Sequence, residues 1–126
     1  MSKWKHFDIS EFDCRCGCGG NEMNPKVITK LDRMRDVFGK RMRVTSGYRC
    51  PSHNNRISST GFDGPHTTGD AADIGVDRED ALKLLMISAA FKWQGVGVNQ
   101  KGNGRFLHFD DCEHKPGRPR PTIWTY

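Results

Sequence analysis

From Gly47 to Gly69 the chain carries a single aliphatic side chain, Ile57, among Gly, Pro, Ser, Asn and Thr. Such a stretch offers no apolar face to bury, so the core must come from the segments on either side of it. The stretch itself reads as one long loop. Loops of that length are uncommon in a compact domain unless they carry function, so the residues in this one are candidates for chemistry. At 126 residues the chain supports one domain, residues 1–126, with one modest core. Seven Phe and three Trp supply core material that disordered chains lack.

The flanking segments carry clear element signals. Asn24 is a plausible N-cap, Pro25 suits the first helical position, Val27, Leu31, Met34 and Phe38 form one apolar stripe, and Gly39 supplies a left-handed stop. Met42 to Ser46 alternates as a half-buried strand does. Beyond the loop, Ala71 to Ile74 reads as a short strand. Asp77-Arg78-Glu79-Asp80 opens a second helix, with Ala81, Leu84, Leu85, Ser88 and Ala89 available to the core. Gly95 to Asn99 and Arg105 to Asp110 are strands around the turn Gln100-Lys101-Gly102-Asn103-Gly104. After Cys112 an extended tail with Pro116, Pro119 and Pro121 ends in Trp124 and Tyr126.

Charge and cysteine usage narrow the function classes. Twenty Lys and Arg against fifteen Asp and Glu give +5, and Lys30, Arg33, Arg35, Lys40, Arg41, Arg43 and Arg49 crowd one stretch. An anionic partner fits that excess, and so does a solvated helix face. No run reaches the roughly 18 apolar residues of a membrane span, and the charged start has no apolar stretch behind it. The expectation is therefore a chain made in the cytoplasm without a signal peptide and not inserted in a membrane. The cysteines number five, three of them packed as Cys14, Cys16 and Cys18, which suits a reducing compartment better than a disulfide ladder.

The chemistry concentrates in His66, Asp73 and His108. Two imidazoles and one carboxylate form a complete three-ligand set for a catalytic zinc with a fourth position open. One carboxylate against Zn²⁺ leaves a centre of about +1, suited to activating water and polarising an amide carbonyl. Each residue also has an ordinary reading: a solvated loop His, a strand-ending Asp, a hydrogen-bonded strand His.

In order along the chain, Ser46-Gly47-Tyr48-Arg49-Cys50-Pro51-Ser52-His53-Asn54, His66-Thr67-Thr68-Gly69-Asp70-Ala71-Ala72-Asp73-Ile74, Gly95-Val96-Gly97-Val98 and Phe106-Leu107-His108-Phe109-Asp110 resemble the zinc D-alanyl-D-alanine carboxypeptidase family. The likeness is to its small members common in bacteriophages and prophages, which include peptidoglycan endopeptidases. It runs from about Phe12 to Asp111, takes in Cys16-Gly17-Cys18-Gly19, and leaves 112–126 as the tail. The resemblance implies a small α+β domain: a central antiparallel sheet, two main helices and long loops. It also implies Zn²⁺ held by His66, Asp73 and His108, with Arg49 near the substrate, where a guanidinium would hold a terminal carboxylate or an oxyanion. A structural salt bridge is the competing reading of Arg49.

The sequence departs from the family at two places. Some relatives carry an acid three positions before the last zinc ligand, where this chain has Arg105. The expected general base is instead Asp110, which shares a strand face with His108, with Asp111 and Glu113 as substitutes. The competing role for Asp110 is to orient a ligand His. The second departure is Gly64, two residues before His66, where the family often has Ser. His53 reads as a loop or substrate-side residue, and His114 has no assigned role.

The expected function is hydrolysis of an amide in bacterial peptidoglycan peptides, as a carboxypeptidase or an endolysin-type endopeptidase, by a monomer released through phage lysis or carried on a virion. Two alternatives stand beside it. One is a catalytically silent phage structural or wall-binding domain on the same fold. The other is a nucleic-acid-binding module with a structural zinc on Cys14, Cys16, Cys18, Cys50 and His53. One intervening residue between cysteines is awkward for chelation, and the basic stretch lacks the aromatic interleaving of a single-strand binder, so nucleic acid is not the expected partner. Free thiols, a disulfide pair with leftovers and a second metal site all remain open for the five cysteines, Cys112 included.

Overall fold

The first helix forms where its caps are. In a computed structural model of the chain, which describes residues 3–126, helix α1 spans Pro25–Phe38. The Asn24 side chain accepts from the Lys26 amide, and Gly39 closes the helix at φ 74°. Its buried face is Val27, Ile28, Leu31, Met34 and Phe38, the predicted stripe plus one residue. Strand β1 (Arg43–Ser46) follows, then helix α2 (Pro51–Ile57), strand β2 (Ala71–Gly75), helix α3 (Arg78–Ser88), strands β3 (Gly95–Asn99) and β4 (Phe106–Asp110), and strand β5 (Thr122–Thr125).

The strands lie in the order β1-β2-β4-β3-β5. The first four pair antiparallel, and β5 adds to β3 in parallel. The fold is α+β, as expected, with a mixed rather than purely antiparallel sheet and three helices rather than two. Both additions escape hydrophobic periodicity for physical reasons. Helix α2 buries only Asn54, so no apolar stripe marks it inside the aliphatic-poor stretch. Strand β5 is an edge strand with Ile123 exposed, in a proline-rich segment that reads as tail. Ala89 lies exposed just past α3, while Ala81, Leu84 and Ser88 face inward as predicted.

Alternation along the strands divides the sheet into two faces. Ala72, Ile74, Leu107 and Phe109 are fully buried against the helices, with Trp93 stacked on Phe109 at 5.5 Å. Asp73, His108 and Asp110 therefore sit on the opposite face, and the cross-strand register brings them together.

Candidate metal centre

Asp73 on β2 stands opposite His108 on β4, His108 opposite Gly97 on β3, and Gly97 opposite Trp124 on β5. Asp73, His108 and Trp124 of this row line an open cleft of about 1050 Å³. His66 comes from the long connection between α2 and β2, and Arg49 from the segment after β1. Both line the cleft with Asp73, His108, Arg118, Arg120, Trp124 and Tyr126.

His66, Asp73 and His108 each offer a ligand atom within 4.8 Å of the other two, and all three are buried. His66 Nε2 lies 3.3 Å and His108 Nδ1 2.9 Å from the same oxygen, Asp73 Oδ1. The remaining ring nitrogens are occupied. His66 Nδ1 is 2.7 Å from the Gly47 carbonyl and donates to it, leaving Nε2 with its lone pair. His108 Nε2 is 2.7 Å from Asp110 Oδ2. A ligand nitrogen facing the centre and the other ring N–H held by a carbonyl or carboxylate is the arrangement a metal-binding imidazole requires. The donor set fits zinc. Burial works against a charged His108, but hydrogen bonds to Asp110 and Asp73 outweigh it and raise its pKa. Asp73, likewise opposed by burial, is held well below the usual carboxylate range by the two histidines.

The other predicted site residues fall into distinct places. The Arg49 guanidinium donates to Ser46 Oγ at 2.8 Å, Asn54 Oδ1 at 3.1 Å and Asp73 Oδ2 at 3.3 Å. It is thus both a cleft residue and the ion-pair partner of the Asp73 carboxylate. Asp110 does stand beside His108, but its side chain is 0% exposed and is absent from the cleft lining. Its oxygens accept from His108, from Arg120 Nε and Nη2, each at 2.9 Å, and from the Cys112 amide. Asp111 pairs with Lys30, and neither it nor Glu113 lines the cleft. Arg105 bonds the Gly102 carbonyl at the β3–β4 turn. Among the described residues the other carboxylate on the cleft is Asp63, paired with Lys115 at 2.7 Å.

A sequence model for the family Peptidase M15 matches residues 5–110. The chain belongs to this family. M15 is the zinc D-alanyl-D-alanine carboxypeptidase family, as the ordered motifs implied, and membership makes this chain a metallopeptidase. A search of curated proteins returned no match. The M15 match ends at Asp110, whereas one wall of the cleft comes from the residues after it. Arg120 and Trp124 were missed as site residues because the tail shows no ligand-like spacing. A β-branched and aromatic run, Thr122-Ile123-Trp124-Thr125, was the available signal.

The M15 motif Gly95-Val96-Gly97-Val98 now has a physical reason. A Cβ on Gly95 would lie 2.5 Å from Asp110 Oδ2 and 2.7 Å from Arg120 Nε, and one on Gly97 would lie 2.8 Å from the Trp124 ring. Both glycines make room for groups packed beside His108. Gly64 departs from the family for a similar reason: a Cβ there would collide with Thr60 Oγ1 and approach Asn54 Nδ2 at 3.1 Å.

Proposed function

We propose that the chain hydrolyses an amide in the peptide part of bacterial peptidoglycan, with Zn²⁺ held by His66, Asp73 and His108. The observation that carries this reading is the convergence of those three buried donors on an open cleft of about 1050 Å³. When bound there, zinc supplies Lewis acidity toward a water nucleophile and the scissile carbonyl. The residues of the chain supply the rest. Gly47 and Asp110 fix the two imidazoles, Arg49 fixes Asp73, and Trp124 walls the His108 side at a ring distance of 5.1 Å.

Asp110 is a positioning residue in this reading, not the general base expected from strand alternation. Its carboxylate is buried and spoken for by Arg120, His108 and the Cys112 amide. Substrate recognition falls to the cations. Arg49 and Arg118 line the cleft, and the buried Nη1 of Arg118 has no hydrogen-bond partner among the described residues. A guanidinium on the cleft wall suits a carboxylate, such as the terminus or side-chain acid of a wall peptide. The decisive experiment pairs zinc analysis with mass analysis of fragments from purified peptidoglycan. Wild type should release peptide fragments, and His66→Ala should lose one zinc together with that release. Fragment release undiminished in His66→Ala would refute the assignment.

A further inference from the structure

Three thiols spaced one residue apart cannot all reach one ion from an extended chain, but the Cys14–Cys18 segment is not extended. Gly17 and Gly19 adopt φ of 85° and 77°, left-handed conformations that glycine tolerates without strain. The segment curls, and Cys14, Cys16 and Cys18 meet Cys50, which precedes α2, with all four Sγ atoms within 4.8 Å of one another. Cys14 and Cys16 sulfurs are 3.4 Å apart, and Cys16 and Cys50 sulfurs 3.6 Å. Sulfurs tetrahedrally placed about 2.3 Å from a zinc stand about 3.8 Å from each other. A disulfide requires about 2.05 Å, and all five cysteines are free thiols.

Backbone amides point at two of the four sulfurs. The Cys50 amide donates to Cys14 Sγ and the Gly20 amide to Cys18 Sγ, each at 3.3 Å. His53 is not in the cluster, and Cys112 lies apart from it.

We propose that Cys14, Cys16, Cys18 and Cys50 bind a structural zinc ion, separate from the His66, Asp73 and His108 centre, that clamps the N-terminal segment onto the wall of the cleft. Loading from the thiol form releases four protons and needs no oxidant. Four thiolates complete the coordination, so the ion keeps no open position and no catalytic role. What it holds is the segment 47–50. The Tyr48 amide donates to the Phe12 carbonyl at 2.9 Å, and a Cβ on Gly47 would come within 2.6 Å of Phe12 Cα. That same segment presents the Gly47 carbonyl to His66 and carries Arg49 next to Cys50.

The full chain should contain two zinc ions. Cys16→Ser/Cys18→Ser should retain one, and His66→Ala/His108→Ala should also retain one. Cobalt substitution separates the sites without relying on a cysteine variant that folds poorly. Wild type and His66→Ala/His108→Ala should both show the intense near-ultraviolet thiolate-to-cobalt absorption, and the cysteine variant should lack it. Failure of the peptidase reading alone would leave that absorption and one cysteine-bound zinc intact. The proposal is overturned if wild type shows no cobalt–thiolate band, if its cluster thiols react freely with a thiol reagent in the native protein, or if the cluster holds iron instead of zinc.

Discussion

At the scale of single residues, the buried pair Asp110 and Arg120 decides how the histidine on β4 is held. An Asp110 that orients His108 and one that removes a proton make opposite predictions for Asp110→Asn. As an orienting group its loss should weaken zinc affinity about 10–100-fold, measured by competition with a chromophoric chelator. Unchanged affinity with lost turnover would restore the base role. Arg120 should matter for stability as well. Its side chain is 6% exposed and its partner wholly buried, so Arg120→Met strands a carboxylate in the interior. Urea unfolding should show a loss of about 3–5 kcal/mol. Neither residue's importance was legible in the same way. Asp110 follows from strand alternation beside His108, whereas Arg120 lies in a segment whose pairing with β3 no local pattern announces.

At the scale of elements, α2 is the informative one. It has no apolar stripe, and what it buries is the amide of Asn54, 1% exposed. Asn54 accepts from Arg49 and donates to Thr60 Oγ1 at 2.8 Å and the Gly61 carbonyl at 2.6 Å. The helix thus links Arg49 to the loop leading to His66. Asn54→Ala should cost about 2–3 kcal/mol in unfolding free energy, since it leaves buried partners unsatisfied. It should also lower kcat/KM on a peptide substrate, because Arg49 loses an anchor. A stability loss with unchanged kinetics would confine α2 to a structural role. Helix α1 is the contrasting case: cap, stripe and stop are all written locally, so its limits are legible from the sequence to the residue.

At the scale of the whole molecule, the sheet register assembles the site, and Gly97 is its test. Gly97→Ala would push a methyl into the Trp124 ring and Tyr126 Oη, 2.9 Å away, and should displace β5 from the His108 side. A changed near-ultraviolet circular dichroism of the tryptophans together with reduced activity is expected. An unaltered spectrum would show that β5 is not held as described. The paired carboxylates also set an acid limit. In the metal-free protein both Asp73 and Asp110, despite burial, are held below the ordinary carboxylate range by the histidine and arginine side chains they pair with. Depressed folded-state values mean stability that is present above the ordinary carboxylate pKa and lost as pH falls below it. Denaturant midpoints of the metal-free protein should therefore decline below about pH 4, and less steeply in Asp110→Asn.

The group His66, Asp73 and His108 that could hold a metal, the helix α1 and the β3–β4 pair were legible because each rests on residue type, local periodicity or short-range spacing. Tertiary structure decided the rest. Asp73, His108, Gly97 and Trp124 become neighbours only through strand pairing, and no spacing along the chain encodes which strand lies beside which. The cysteine cluster turns on the same distinction. Its residues are visible in the sequence, but their convergence depends on two glycine φ angles and on the contact with segment 47–50, which only the folded chain contains.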